Sequence, residues 1–276
     1  MNRRKFFKNS VLSAIGTAGL LKTAEAAEAA KSTDQNVQEY DIVIIGSGCA
    51  GLTTAIEAAD LGAKVVVLEK MFGPFGNTIY AGGNFNATNP WVQKRDGIKD
   101  TVEDFYNDLM KVSMYRGDPV LTKMFAEQSA DVVQWLTDRI HMEWKPIDVQ
   151  IAPMLGRCHE VGGKLTPGGN QLLRNMLDEC KLLNIPIHTR TKAVELLRDE
   201  SLNCTGVKAV GPNGPVTYKA KGGVVICTGG FHNNKDLVTR YMGGNVAWMP
   251  LRGSAIITSV GGTGDHQGHV LDRTGV

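Results

Sequence analysis

The feature that most constrains this chain is a buried strand that leads directly into a glycine-rich turn and then into a helix. Residues 40–45 read YDIVII, a nearly continuous apolar run that is typical of a parallel strand covered on both faces. The turn GSGCAG follows at 46–51, apolar residues at helical spacing occupy 52–61, and a second strand at 64–68 ends at Glu69. This order predicts an α/β fold built on a parallel sheet, with a mononucleotide-binding unit at its start.

Each part of this unit has a physical role in binding a dinucleotide. Gly46 permits the tight turn out of the strand, Gly48 lets the backbone approach a pyrophosphate, and Gly51 lets the helix pack against the sheet. The helix N-terminus offers N–H groups and the positive end of its dipole to the phosphates. Glu69 lies about 20 residues after the turn, where a carboxylate accepts hydrogen bonds from ribose hydroxyls. A carboxylate at this place argues against the 2′-phosphate of NADP and leaves FAD or NAD.

The path of the chain after Glu69 favours FAD over NAD. In an NAD-binding unit the second strand leads into another helix, whereas here Lys70 is followed by GPFGNT at 73–78 and AGGNFNA at 81–87. Glycines leave backbone N–H groups bare, and such groups suit the polar edge of an isoalloxazine ring beyond the adenosine half of FAD. The sequence therefore predicts FAD as the cofactor.

A second glycine-rich turn follows another buried strand late in the chain. Residues 224–227 read VVIC and lead into TGG at 228–230. Before them, residues 204–210 and 216–220 flank GPNG and predict a β-hairpin, which KGG at 221–223 separates from the buried strand. Two glycine-rich turns at the carboxyl ends of strands in one sheet favour FAD more strongly than either turn alone.

These motifs resemble the flavoprotein subunits of the fumarate reductase and succinate dehydrogenase family, especially the soluble, exported fumarate and urocanate reductases. The family loop reads much like G-N-T-x-x-A-G-G-x-x-N-A, which residues 76–87 match. CTGGF at 227–231 is similar to the family's A-T-G-G-F, and GGTGDHQG at 261–268 is similar to its T-G-D-G motif, with His266 in place of the last Gly. The resemblance implies a Rossmann-like FAD-binding domain: a parallel sheet flanked by helices, with a β-hairpin or meander insertion.

The resemblance also implies which residues line the FAD site. The loop residues are expected along the pyrophosphate and flavin ring, and the backbone of Ala193 or Val194 at the adenine. The candidate cofactor-binding residues are Gly46, Gly48, Cys49, Ala50, Gly51, Glu69, Lys70, Asn77, Thr78, Ala81, Gly82, Gly83, Ala193, Val194, Thr228, Gly229, Gly230, Gly264 and Asp265. Membrane-bound family members attach FAD through a His in this loop. Here no His occurs between Leu52 and His141, so we expect noncovalent FAD.

The segment between the two turns predicts helices over 103–112, 119–137 and 170–184. Asp118 precedes a proline and is predicted to be the N-cap of the second helix. The apolar residues of that helix recur at helical spacing and predict a core-facing side made of Val120, Met124, Val132 and Trp135. His159 lies between the second and third helices, and we expect a structural or flavin-adjacent role for it, not that of a catalytic base.

The resemblance implies a function that this chain carries only in part. Complete family members reduce the C=C bond of an unsaturated carboxylic acid: arginines clamp the carboxylates and an acid protonates the α carbon. The resemblance covers residues 40–276 and stops before the family's capping domain and closing segment. We therefore expect an incomplete FAD-binding domain, whether a gene fragment, an incomplete gene model or half of a split enzyme, that is inactive alone. No catalytic residue is assigned.

Partners and alternative functions follow from the same comparison. The chain has no C-x-x-C-H haem motif, so electrons are expected from a separate haem or flavin protein. A 3-ketosteroid-type FAD dehydrogenase remains an alternative, because that class shares the flavin domain and differs mainly in the absent half. A non-catalytic FAD-binding fragment is the other alternative.

Residues 1–30 predict an export signal of the twin-arginine type. Arg3 and Arg4 precede two phenylalanines and a lysine, a short apolar run occupies 11–21, and an A-x-A exit lies at 24–26. An ordinary secretory signal with two arginines is the alternative. The apolar run is shorter than the about 20 residues that cross a bilayer, so we expect no membrane span in the mature chain.

This signal predicts a periplasmic or otherwise exported protein. We expect residues 31–39 to form a polar linker and residues 40–276 to form the FAD-binding domain. The formal net charge of +2 over 276 residues gives no large basic surface, so nucleic acid is not expected as a partner. The five cysteines form no C-x-x-C pair, and neither a metal site nor a disulfide framework is predicted.

Overall fold

The structure is a computed structural model that describes residues 36–242, except residues 75, 89, 148–155, 166–167 and 232–233. The strands are β1 (Val37–Ile45), β2 (Val65–Leu68), β3 (Asn84–Asn86), β4 (Cys158–Glu160), β5 (Ile187–His188), β6 (Lys192–Arg198), β7 (Cys204–Gly211) and β8 (Gly214–Ile226). The helices are α1 (Cys49–Asp60), α2 (Trp91–Arg95), α3 (Val102–Val112), α4 (Pro119–Ile140), α5 (Gly168–Leu182) and α6 (Lys235–Met242), with a short 3-10 helix at Asn77–Tyr80.

The central sheet has the strand order β5-β2-β1-β8-β7-β6. β1 pairs in parallel with β2 and with β8, and β2 pairs in parallel with β5. β7 is antiparallel to both of its neighbours, β6 and β8. A separate two-stranded sheet joins β3 to β4. The expected α/β class is confirmed: a mainly parallel sheet carries an antiparallel meander.

The two faces of the parallel sheet are covered by different elements. Successive side chains of β1 point to opposite faces. Ile44 belongs to a core that includes Met176 of α5, so helices cover that face. Val43 belongs to a second core that includes Val207 and Tyr218 of the meander. Helices thus flank one face of the sheet and the meander covers the other, which refines the expectation of a sheet flanked by helices.

Two predicted strand boundaries differ from the observed ones. The break expected at residues 221–223 is absent, and β8 runs continuously through it, because its ladder with β1 continues past Gly223 and that glycine adopts a φ of +140°. A register shift between Tyr40 and Ile42 marks the same place on β1. β1 also begins at Val37, inside the expected linker, because its first residues pair with the start of β8.

Helix α4 begins as predicted but buries a different side. The Asp118 side chain accepts hydrogen bonds from the N–H groups of Val120 and Leu121, which confirms the N-cap. Of the predicted core-facing residues, Val120, Met124 and Val132 are exposed, whereas Trp135 is partly buried and packs against the core. The buried side is made of Ala126, Ser129, Val133, Leu136 and Ile140. Helical spacing alone offered two apolar stripes, and packing into the helix-covered core, which Val133, Leu136 and Ile140 join, selected the one with smaller residues.

A buried ion network holds the segment that leads into β4. Arg157 Nε donates to Asp100 Oδ2 at 2.6 Å, and its NH1 group donates to Asp108 Oδ2 at 2.6 Å. The guanidinium also lies 4.9 Å from the centroid of the Phe105 ring. A charged group this deeply buried is tolerated because it is paired and hydrogen-bonded. The network fixes β4, and with it the two-stranded sheet beside the loop that follows β2.

Candidate cofactor site

The ends of three parallel strands meet at one edge of the sheet. Ile45 of β1 lies opposite both Leu68 of β2 and Ile226 of β8 in the strand register. Gly46 N donates to Leu68 O at 2.8 Å, and Cys227 N donates to Ile45 O at 2.8 Å. The segments that leave these strands are therefore brought together, as in binding sites at the carboxyl ends of parallel strands.

Two glycines of the turn at residues 46–51, called the 46–51 turn below, are required by the protein itself. Gly46 has a φ of +104°, and a Cβ built on it would lie 2.4 Å from Cys227 O. A Cβ on Gly51 would lie 1.9 Å from Gly46 O, so only glycine lets α1 pack on the turn. The structure places both residues in the roles that the sequence predicted for them.

Gly48 is different, because no atom of the described residues excludes a side chain there. Its Cβ would have Thr78 Oγ1 as its nearest neighbour, at 3.6 Å, among the described residues. Gly48 is also the N-cap of α1 and offers no side chain to cap the helix. The first N–H groups of a helix have no acceptor within it. An open glycine beside such a helix end fits a pyrophosphate, with Cys49 and Ala50 in the first turn.

The carboxylate of Glu69 is held firmly at the end of β2, and the residue is only 7% exposed. Its Oε2 atom accepts hydrogen bonds from Ser47 N at 3.1 Å and Ser47 Oγ at 2.6 Å. Its Oε1 atom accepts from Met71 N at 2.8 Å. A carboxylate has about four acceptor positions, so one remains for a ribose hydroxyl. The half-buried Lys70 follows directly in the chain.

Ser47 belongs to the candidate site and was missed by the sequence interpretation. It is fully buried, and both of its hydrogen bonds go to the candidate ribose ligand Glu69. The signal available in the sequence was a hydroxyl residue at the variable position of the G-x-G turn, next to a buried strand. That signal does not by itself indicate which carboxylate the hydroxyl contacts.

The start of β6 lies beside the end of β2. Thr191 N donates to Glu69 O at 2.8 Å, and this bond places the following residues next to the Glu69 segment. The ladder between β6 and β7 shifts register between Ala193 and Glu195, so Val194 bulges from it and is exposed while Ala193 is buried. The predicted contact of this backbone with adenine stays a prediction.

The glycine-rich loop at residues 76–83, called the 76–83 loop below, contacts the 46–51 turn at one end. Thr78 Oγ1 accepts a hydrogen bond from Cys49 N at 2.8 Å. A Cβ on Gly76 would lie 3.1 Å from Gly48 Cα, so the two segments touch through their backbones. Asn77, Ala81 and Gly82 are exposed along the loop. The structure thus joins the two glycine-rich segments that the sequence assigned to one cofactor.

Gly83 has a role that the sequence interpretation did not predict. It is buried, has a φ of +87°, and its Cβ would lie 2.7 Å from Gly168 Cα of α5. Its carbonyl accepts a hydrogen bond from Val161 N at 2.9 Å. Packing against α5 therefore requires glycine at this position whether or not a cofactor is bound.

The second turn, at residues 228–230, carries an unsatisfied polar atom. Thr228 Oγ1 is buried and has no hydrogen-bond partner among the described residues. Gly229 has a φ of +71°, and Gly229 and Gly230 are both exposed. Asn86 Oδ1, which lies shortly after the 76–83 loop, is also buried and has no hydrogen-bond partner among the described residues. Buried polar atoms of this kind are expected where a polar ligand completes the site.

His159 has the surroundings of a structural residue. It is fully buried, and its Nδ1 atom lies 2.6 Å from Arg157 O and 3.1 Å from Phe85 O, so Nδ1 carries a proton and donates it. Burial lowers the pKa of this imidazole, which is therefore neutral at pH 7. The side chain ties β3 to the start of β4, which fits the structural one of the two roles, structural or flavin-adjacent, that were expected for it.

The two thiols near the turns are not reactive by their surroundings. Burial raises the pKa of Cys49 and of Cys227, which keeps both thiols protonated at neutral pH.

In the described part of the chain, no three metal-ligating side chains converge. Gly264 and Asp265, the last two candidate residues, and the export signal at residues 1–30 lie outside the described residues. None of the described helices is both long and apolar enough to cross a bilayer.

Comparison with known proteins supports the FAD interpretation. The protein family described as FAD binding domain matches residues 41–268. The chain is 32% identical over 271 residues to the urocanate reductase of Eggerthella lenta, a match that covers 94% of this chain and 42% of that protein. It is 32% identical over 250 residues to the acrylate reductase flavoprotein subunit of Shewanella woodyi, covering 86% of this chain and 48% of that protein.

Solved structures give the same result for the fold. The open conformation of a flavocytochrome c3 fumarate reductase superposes with a TM-score of 0.77 at 25% identity, covering 91% of this chain and 43% of that one. A 3-ketosteroid dehydrogenase from Rhodococcus jostii superposes with a TM-score of 0.72 at 24% identity, covering 85% and 53%, and this likeness concerns the fold alone. The chain spans less than half the length of the two curated relatives named above.

Proposed function

The chain belongs to the family of FAD binding domains, with FAD as its cofactor, and from that premise we propose that it forms the FAD-binding part of a reductase of unsaturated carboxylic acids. Urocanate and acrylate, which name two of its relatives, both have a C=C bond conjugated with a carboxylate. A third relative is a cytochrome-type fumarate reductase of Shewanella frigidimarina, 30% identical over 200 residues and matched over 72% of this chain and 35% of its own.

One observation carries the FAD-binding part of the proposal: Gly48, the fixed carboxylate of Glu69 and the unsatisfied Thr228 hydroxyl lie on segments that leave the same sheet edge. The first suits the pyrophosphate, the second the adenosine ribose, and the third a further polar group of the cofactor. Bound FAD supplies hydride chemistry at its isoalloxazine ring. The residues of this chain bind and orient it.

We further propose that FAD is held noncovalently. The sequence has no His between Leu52 and His141, so the 76–83 loop contains no imidazole for attachment. Denaturing the flavin-loaded protein in acid and centrifuging it tests this directly. The flavin is expected in the supernatant; a yellow protein pellet would contradict noncovalent binding.

The substrate half of the reaction is proposed to need residues beyond this chain's described part. Electrons are proposed to come from a separate haem or flavin carrier. The chain alone, loaded with FAD and reduced without oxygen, is expected not to be reoxidised by urocanate, fumarate or acrylate. A gene product that includes the remaining length of the relatives is expected to be reoxidised by one of them.

The same assay separates the alternatives. Reoxidation of that longer product by an unsaturated acid and not by a 3-ketosteroid supports the proposal, and the reverse result supports a steroid dehydrogenase.

We also propose export by the twin-arginine route, on the basis of Arg3 and Arg4. Replacing both by lysine is expected to retain the protein in the cytoplasm, as measured by cell fractionation; unchanged export would contradict this route.

A further inference from the structure

Gly168 and Gly169, the first residues of α5, lie directly on the backbone of the 76–83 loop. Gly168 N donates to Gly82 O at 3.1 Å, and Gly169 N donates to Ala81 O at 2.9 Å. The first N–H groups of a helix have no acceptor within it, so two carbonyls of the loop form the backbone cap of α5. The helix end and the loop therefore satisfy each other's polar groups.

This contact leaves no room for a side chain at either helix glycine. A Cβ on Gly169 would lie 2.0 Å from Thr78 O, and one on Gly168 would lie 2.7 Å from Gly82 O. Both neighbours are backbone atoms, which cannot move aside as a flexible side chain can. Together with Gly83, the helix and loop glycines interdigitate, and the shape of the loop depends on residues far away in the sequence.

At Gly82 the other side of the loop faces no close neighbour in the described part of the chain. A Cβ on Gly82 would have Asn84 Nδ2 as its nearest neighbour among the described residues, at 3.9 Å, and Gly82 is exposed. The loop therefore has one surface set against α5 and a second surface that a ligand can cover. The second surface continues from the 46–51 turn through the contact of Thr78 with Cys49.

We propose that Gly168 and Gly169 are positioning residues for FAD: they hold the 76–83 loop, before the cofactor binds, in the shape that receives its flavin half. A preformed loop raises affinity because binding then does not have to order flexible backbone. The proposal rests on the FAD site described above and adds a cause for the shape of that site in the apoprotein.

The variant Gly168→Ala tests this proposal, because its Cβ disturbs the loop at Gly82 and leaves the 46–51 turn untouched. The matched control is Gly62→Ala at the far end of α1, where φ is +85° and a Cβ would meet no described atom within 4 Å. Binding of FAD and of ADP to each full-length apoprotein is measured by isothermal titration calorimetry. ADP probes the turn and Glu69 without the flavin.

Gly168→Ala is expected to bind FAD at least about 10-fold more weakly than wild type and to bind ADP within about 2-fold of wild type. Gly62→Ala is expected to bind both FAD and ADP within about 2-fold of wild type. Wild-type affinity of Gly168→Ala for FAD would overturn the proposal. An equal loss for FAD and ADP would overturn it as well, because it indicates general damage. If the wild-type apoprotein binds no FAD, the proposed function fails as well as the positioning proposal. If the wild type binds FAD and Gly168→Ala binds it equally well, only the positioning proposal fails.

A measurement on the wild type decides the case in which Gly168→Ala does not fold. The amide hydrogens of Gly168 and Gly169 are the donors of the contact, so their exchange with solvent deuterium reports it directly. In the apoprotein we expect them to be protected at least about 100-fold relative to the unfolded chain. Exchange at the unfolded rate until FAD is added would show that the cofactor shapes the loop, and would overturn the proposal.

Discussion

The 46–51 turn and the 76–83 loop are both rich in glycine, but they are shaped by different parts of the chain. In the turn, Gly51 packs on Gly46, a close neighbour in sequence. In the loop, the backbone is fixed by Gly168 and Gly169 at the start of α5. The first is a motif that a sequence displays directly, whereas the second is a tertiary contact between two glycine pairs, neither of which indicates the other in the sequence.

Each segment also contains a glycine that no contact among the described residues requires. A Cβ at Gly48 or at Gly82 has no described neighbour closer than 3.6 Å. A glycine with open space around it points to a ligand, and a glycine with a backbone atom against it points to packing. Substitution at the two kinds of position should therefore affect different measurements.

The largest effect is expected for Gly51→Ala. Its Cβ would lie 1.9 Å from Gly46 O, so α1 must move away from the turn. We expect the free energy of unfolding to fall by at least about 3 kcal/mol, as measured by urea denaturation. The control Gly97→Ala, where φ is +73° and the space is open, is expected to lose only about 1–2 kcal/mol. Equal losses in the two variants would contradict the packing role of Gly51.

Gly48→Ala is expected to have the opposite pattern. The free energy of unfolding should stay within about 0.5 kcal/mol of wild type, because the added methyl group displaces no atom of the described residues. FAD affinity should fall about 100-fold, or about 2.7 kcal/mol, because the methyl group occupies the pyrophosphate cradle. Fluorescence titration with FAD measures this loss. A variant that is destabilised and binds FAD normally would reverse the distinction drawn here between the two kinds of glycine.

Acid is expected to destabilise the protein through His159, which joins β3 to the start of β4 beside the 76–83 loop. An unfolded histidine binds a proton near about pH 6.5, whereas burial lowers the pKa of folded His159, so the unfolded state takes up the proton first. The contribution of His159 to the free energy of unfolding is therefore fully present above about pH 6.5. It is lost as the pH falls towards the folded pKa, by up to about 1.4 kcal/mol per pH unit. Burial lowers the pKa of His188 too, which acts in the same direction.

Denaturation by urea at a series of pH values, together with the variant His159→Gln, measures the His159 contribution. The slope of the free energy of unfolding against pH should be smaller in the variant than in the wild type. It should not fall to zero, because the contribution of His188 remains. Hydrogen exchange at low pH should increase first in residues 84–86, which His159 contacts through Phe85 O. An unchanged slope in the variant would remove His159 from this account.

The smallest expected effect concerns the hydroxyl that orients Glu69. Ser47→Ala removes the donor at 2.6 Å but leaves the backbone donors Ser47 N and Met71 N in place. In a double-mutant cycle of Ser47→Ala with Glu69→Gln, FAD binding should show a coupling of about 1 kcal/mol. Additive losses would indicate that Ser47 does not act through Glu69.

The parts of the fold that depend on short-range signals were predictable from the sequence. The order of strand, turn, helix and strand follows from apolar runs and from Gly46, Gly48 and Gly51. The N-cap at Asp118 follows from an acid before a proline, because its physical cause lies within three residues. FAD itself followed from two turns and an acid on neighbouring strands.

The rest could not be predicted, because its cause lies in contacts between distant segments. Which stripe of α4 is buried depends on its neighbours, so Val120 was wrongly expected in the core. Gly223 resembles a break in isolation, but pairing with β1 continues β8 through it. The contact of Gly168 and Gly169 with the 76–83 loop joins two pairs of glycines whose individual patterns do not indicate each other.

The central claim is that the sheet edge with Gly48, Glu69 and Thr228 binds FAD, and analysis of the purified full chain tests it most directly. The protein is expected to have a visible flavin spectrum, or to acquire one when the apoprotein is mixed with FAD, and to release equimolar FAD on denaturation in acid. A correctly folded chain that carries no flavin and gives no heat of binding with added FAD would contradict the account.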